Sequence, residues 1–219
     1  NEDSGMSKAT AQAFKGRTVD GEVVLGPEYQ KTRQSAAAEK GEEDKPAVVA
    51  LASGNLGLIS FTEIPHRLTL EELNADFPAV VPGLAAHEGI GFIMVRSQAD
   101  GPVVIGANGI YFLEQDRFEG ENPLELYGPN APAHLRRTDS FPNCPDILVN
   151  SFYNPEDDEG CAFEELIGFH GGMGGTQTMP FLLHPVELVV EGDIVGAGNV
   201  YRVCKGWLNE LQNGNPSQK

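Results

Sequence analysis

The stretch that sets the fold class is Ile90-Gly-Phe-Ile-Met-Val-Arg-Ser-Gln-Ala-Asp-Gly-Pro-Val-Val-Ile-Gly106. Two apolar, β-branched runs flank Ala99-Asp100-Gly101, a composition that turns the chain back on itself, so the stretch reads as two strands around a turn. Gly109-Ile-Tyr-Phe-Leu113 continues as a third strand. Upstream, Ala47-Val-Val-Ala-Leu-Ala52 and Asn55-Leu-Gly-Leu-Ile-Ser-Phe61 carry the alternating, β-branched pattern of a strand. Between these lies a helix start. Thr69 followed by Glu72 forms a capping box, in which each side chain satisfies an orphan amide of the first turn, and Leu68 can staple onto Leu73. Leu70, Leu73 and Phe77 share one helical face; Pro78 and Pro82 are expected to interrupt the helix, which stops before Gly89. Strand, helix, strand, strand describes a small α+β unit over residues 47–117, with helices on one face of a mainly antiparallel sheet.

Beyond it, residues 118–143 are rich in turn formers, with a short helix expected near 131–136. Asp146-Ile-Leu-Val-Asn-Ser-Phe-Tyr153 is an unbroken apolar run that reads as a strand buried on both faces, as in a parallel sheet. An acidic turn follows at Glu156-Asp-Asp-Glu159, then an apolar strand expected at Pro180-Phe-Leu-Leu-His184 and a terminal helix about 199–211 carrying Trp207. Residues 1–46 are polar and read largely as linker, with a short helix expected about 9–14. The expected organisation is therefore 1–46, 47–117 and 118–219.

The chain has 219 residues and a net charge of -17, from 32 acidic and 15 basic side chains. A surface of that sign repels phosphate backbones and anionic headgroups, which argues against a nucleic-acid partner. Three widely spaced cysteines, Cys144, Cys161 and Cys204, form no CxxC pair and suit a reducing, cytoplasmic compartment; a Cys144–Cys161 bridge is the one that can be drawn. No apolar run approaches the roughly 20 residues of a membrane helix, so no membrane segment is expected within the chain. The first residue is Asn1, not methionine, which suggests that a segment precedes it.

The candidate for chemistry is His170, within Gly168-Phe-His-Gly-Gly-Met-Gly-Gly175. Five glycines in eight residues allow positive φ and a close approach of backbone to ligand, and the imidazole is the one side chain of the run able to ligate a metal or move a proton near neutral pH. The same residues also suit an irregular surface loop. His66, His87, His134 and His184 are isolated and read as surface or end-of-element histidines. Glu156-Asp-Asp-Glu159 lacks the spaced oxygens and central glycine of a calcium loop and reads as a solvated turn. Arg136-Arg137 beside Asp139 could grip a phosphate but equally suits a surface ion pair.

The order of these segments, a buried strand, an acidic turn, Gly168-Phe-His-Gly171 and then Met179-Pro-Phe-Leu-Leu183, resembles the closing segment of alkaline phosphatase superfamily hydrolases, in particular the nucleotide pyrophosphatase and phosphodiesterase branch. More narrowly, Ala52-Ser-Gly-Asn-Leu56, Arg67-Leu-Thr-Leu-Glu-Glu72, Gly91-Phe-Ile-Met-Val-Arg96 and the Phe163-Glu-Glu-Leu166 stretch look like the C-terminal part of bacterial proteins that join a holin-like segment to a phosphodiesterase-like domain. The resemblance implies an α/β fold, the C-terminal part of an alkaline-phosphatase-like sandwich, with 47–117 as a capping unit. It implies that His170 is the last histidine ligand of a centre of two divalent ions, zinc or manganese, acting on a phosphate ester. The aspartate ligands, the Thr or Ser nucleophile and the Asp-His-Gly triplet of such enzymes are not in this sequence. The resemblance therefore implies that an upstream part of the polypeptide completes the enzyme and carries any membrane tie. The alternative is a non-catalytic binding or scaffold domain that kept the fold and lost the centre.

Overall fold

A computed structural model of the chain describes residues 18–19, 22–23, 46–164 and 170–213. It divides into two compact units, Asn1–Ala47 and Val48–Lys219. In the first, the described residues form one antiparallel pair, Thr18–Val19 with Glu22–Val23. The helix expected about 9–14 lies outside the described residues.

The second unit is a mixed α/β structure built on a seven-stranded antiparallel sheet. Its strands are β1 (Val48–Ser53), β2 (Leu56–Phe61), β3 (Ile90–Ser97), β4 (Gly101–Ile105), β5 (Gly109–Phe112), β6 (Arg117–Gly120) and β7 (Ile147–Ser151), with helices α1 (Leu70–Asp76), α2 (Val80–Ala85) and α3 (Ala131–Asp139). The order across the sheet is β1-β2-β7-β3-β4-β5-β6. β1 and β2 form a hairpin whose two loop residues are Gly54 and Asn55; Gly54 has φ +60°, the left-handed value that glycine meets without a Cβ penalty.

Helices cover both faces of the sheet. On one side Phe61, Ile93, Val95, Ile147 and Val149 pack with Leu68, Leu73 and Val81 from α1, α2 and the turn before them. On the other Phe92, Met94, Val104 and Leu148 pack with Leu124, Tyr127, Ala131 and Leu135. The alternation of Phe92 and Met94 with Ile93 and Val95 is the period of two by which one strand serves two cores. Leu73 is fully buried, so Leu73→Ala would cost about 2–5 kcal/mol.

The capping box forms as its spacing requires, with Glu72 N donating to Thr69 Oγ1 and Thr69 N donating to Glu72 Oε2. α1 ends at Asp76, two residues before Pro78, but Pro82 does not interrupt α2. It sits in the first helical turn, where its amide would have no intrahelical acceptor, so the missing donor costs nothing.

β7 differs from its expected setting. All five residues are buried, but β7 pairs antiparallel with both β2 and β3. Burial on both faces follows from helices on both faces, a condition that strand direction does not determine. β7 also lies between β2 and β3, so segments 47–117 and 118–219 share one sheet. Asp146, buried just before β7, accepts hydrogen bonds from Phe61 N at 2.7 Å and Leu68 N at 2.6 Å, which ties the end of β2 to the approach of α1.

Past β7, Tyr153–Asn154 (β8) pairs with Glu159–Gly160 (β9), and Ala197–Asn213 forms α4. The run Pro180-Phe-Leu-Leu-His184 joins no sheet, and Phe181 and Leu183 are almost wholly exposed. Pro180 and Pro185 bracket it without donors, and an apolar run becomes a strand only where a partner edge supplies hydrogen bonds. No helix among the described residues is long and apolar enough to cross a membrane.

Candidate functional site

Gly168 and Phe169 lie outside the described residues, which resume at His170. From there to Gly175 the loop is seated on the β1–β2 turn and the end of β7. Two buried asparagines hold it. Asn55 uses every polar group it has: its N donates to His170 O at 2.8 Å, its O accepts from Ser151 N at 3.0 Å, its Oδ1 accepts from Gly172 N at 2.7 Å, and its Nδ2 donates to Met173 O at 3.1 Å. Asn150, on β7, accepts from Met173 N at 2.7 Å and donates to Met173 O and Ser151 O, each at 3.0 Å. Both side chains are essentially inaccessible to water, so their bonds are made without competition and would be costly to lose.

The entry to the loop is fixed as well. Phe163 N donates to Gly54 O at 2.8 Å, and Glu164 Oε1 accepts from Gly54 N at 2.6 Å. Phe163 packs on the core under α1 and α2, and Met173 packs on the opposite core, so each end of the loop has its own apolar anchor.

The glycines have a different use from the one their sequence suggests. A Cβ on Gly171 would lie 2.1 Å from Ser53 O, one on Gly172 would lie 2.5 Å from Asn150 Oδ1, and one on Gly54 would lie 2.0 Å from His170 O. The room these residues make is filled by the protein's own backbone and amide side chains. A rigid mount results, on which His170 is exposed with its Nδ1 beside Gly54.

His170 is the sequence-derived site residue, and the structure places it at the end of the sheet where β1 ends and β2 begins. The other histidines are elsewhere. His66 pairs with Glu72 at 3.0 Å, His87 Nδ1 accepts from Gly89 N, His134 lies on α3 near Gly196, and the His184 ring lies 5.0 Å from that of Trp207. Among the described residues no group of three or more His, Cys, Asp or Glu side chains is arranged to hold a metal ion.

Of the acidic run, Glu156, Asp157 and Asp158 lie in the turn between β8 and β9 and Glu159 begins β9; Tyr153 Oη donates to Asp158 at 2.8 Å and Asn154 Nδ2 donates to Asp157 at 2.8 Å. Arg136 donates to Leu113 O and pairs with Asp116, while Arg137 lies over the Phe141 ring. Asp139, adjacent in sequence, pairs instead with Arg67 at 2.6 Å and with Arg96. Cys144, Cys161 and Cys204 are free thiols, so the Cys144–Cys161 bridge is not formed.

Asn55 and Asn150, which hold the loop, do not stand out as site residues in the sequence. Gly-Asn between two apolar runs is a hairpin signal, and an asparagine inside an otherwise apolar strand needs a buried partner. Both signals stand in the sequence, at 54–55 and at 150.

Comparison with known proteins finds no match. No family model, no curated protein and no solved structure is significantly similar to the chain. The site's geometry presents one imidazole, on a fixed main chain, at one end of a covered sheet.

Proposed function

We propose that the chain is the C-terminal portion of a metal-dependent phosphoesterase of the alkaline phosphatase superfamily, with His170 as one ligand of a two-metal centre. The observation that carries the reading is the seating of His170. Two buried asparagines and three close-packed glycine backbones fix the main chain of an exposed histidine, an investment that a solvated loop does not need. The Phe163 to Phe181 stretch carries the sequence resemblance.

The donor set of the described residues does not fit two metal ions. It offers His170 and no accompanying trio, whereas a pair of ions needs several carboxylates and imidazoles. The zinc or manganese ions therefore belong to the protein completed by an upstream part of the polypeptide, which is also the partner that this reading requires. The substrate class is a phosphate ester. Hydrolysis of bis-para-nitrophenyl phosphate by the completed protein, with zinc or manganese added, tests the reading; His170→Ala is expected to weaken metal-dependent turnover by weakening one metal site, and unchanged turnover rejects it.

A second reading, a non-catalytic scaffold, draws on the same glycines. Their contacts are satisfied by packing alone, so the loop is self-sufficient as structure. This reading expects His170→Ala to be silent in every assay.

A further inference from the structure

β1 is an edge strand with one partner. It pairs through all six residues with β2, and among the described residues nothing pairs with its outer side. Such an edge is normally guarded by charge, proline, a bulge or shortness, and β1 has none of these: it reads Val-Val-Ala-Leu-Ala-Ser, with Leu51 57% exposed. The opposite edge of the sheet is guarded, since β6 has four residues and its Arg117 and Glu119 carry charge.

The same unit holds a segment with the converse deficiency. Pro180-Phe-Leu-Leu-His184 has the composition of a strand and joins no sheet, and Phe181 is 91% and Leu183 89% exposed. The run is held on both sides. The loop before it hangs on Asn55 and Asn150, and behind it His184 lies against Trp207, whose Nε1 donates to Val189 O at 3.1 Å. Apolar side chains presented from a fixed segment lose little freedom on docking.

Charge matches the edge to the run. In a chain of net charge -17, residues 46–62 and 170–186 contain no Asp, Glu, Lys or Arg. These two stretches can meet without desolvating a charge and without setting acidic side chains against each other at the contact.

We infer that two copies of the chain exchange arms: the run 180–184 of each copy pairs as a strand with the outer edge of β1 in the other. Each copy supplies one edge and one run, so the contact is reciprocal and closes as a two-fold pair. The prolines then limit it. Pro180 and Pro185, at the two ends of the run, offer no amide to a further strand, so the added run ends the sheet instead of extending it. Pairing of β1 with β1 would use the edge alone and leave Phe181 and Leu183 in water.

Sedimentation of the full chain over a range of concentration and salt tests the exchange. A dimer is expected that tightens as salt rises, because the copies repel through their net charge and meet through uncharged segments. Phe181→Glu and Leu51→Glu should each raise the dimer dissociation constant by about tenfold or more. Phe181→Glu should leave the melting temperature of the monomer unchanged, since that side chain is almost wholly exposed in the single chain. Mixing the two variants should restore part of the association, because the intact run of the Leu51→Glu chain still fits the intact edge of the Phe181→Glu chain. Pairing through β1 alone, or through the runs alone, gives no such rescue. A chain that stays monomeric up to about 100 μM overturns the exchange. So does a dimer indifferent to Phe181→Glu, a mixture without rescue, or growth into open-ended assemblies.

Discussion

The main-chain amide of Asn55 donates to the carbonyl of His170 at 2.8 Å, which makes neighbours of a hairpin turn and a histidine far along the chain. The side chain of Asn55 then reaches past His170 to Gly172 and Met173. The main-chain position of His170 is thus set by the first hairpin of the sheet.

Asn55→Ala leaves the Gly172 amide and the Met173 carbonyl short of a buried partner. A loss of about 2–4 kcal/mol is expected, read from the urea midpoint. Asn150→Ala should cost a similar amount. Because both side chains serve Met173, the double variant should lose measurably less or more than the sum, a coupling that a double-mutant cycle would expose.

Glycine substitutions should divide by contact. Gly172→Ala forces a Cβ between two buried amides and is expected to destabilise by about 1–3 kcal/mol. Gly83, inside α2 with open space around its missing Cβ, should behave in the opposite way: Gly83→Ala is expected to stabilise by about 0.5–1 kcal/mol. Thermal melts of the two variants should move in opposite directions.

The capping box gives an acid limb. Hydrogen bonds from the Thr69 amide and hydroxyl, with a smaller contribution from His66, hold the Glu72 carboxyl at about 2 against an ordinary 4.5. The folded value lies below the unfolded one, so the contribution is fully present above pH 4.5 and is lost as pH falls toward 2. Glu72→Gln should flatten that part of the stability profile, measured as the urea midpoint against pH.

Tyr127 gives an alkaline limb. Burial pushes its hydroxyl up to about 12 from an ordinary 10, while Tyr127 Oη donates to Ser151 O at 3.1 Å. The folded value is the higher one, so this contribution is fully present below pH 10 and fades as pH rises toward 12. In Tyr127→Phe the fall over that interval should shrink, and the phenolate absorbance should lose a late-titrating tyrosine that the wild type shows.

Much of the sheet was legible because alternation and turn composition are local properties. β3, β4 and β5 follow directly from the quoted stretch, and the capping box from two residues at one spacing. β6 was not legible, since Arg117-Phe-Glu-Gly120 carries the charges that guard an edge and resembles a loop. The burial of β7 was readable from its apolar run, but its direction depends on the pairing of distant segments. Pro180 to His184 has the composition of a strand and joins no sheet. The site was half legible: His170 stands out among glycines, while the asparagines that hold it are distant in sequence and meet it only once the hairpin and β7 are in place.

The most direct test of the central claim is zinc-dependent hydrolysis of bis-para-nitrophenyl phosphate by the chain joined to the upstream part that the proposal requires, comparing His170 with His170→Ala across a zinc titration. Loss of a first ligand should lower turnover by about a hundredfold or more and raise the zinc concentration needed for half-activation. Identical zinc curves and equal turnover in the two proteins would contradict the account.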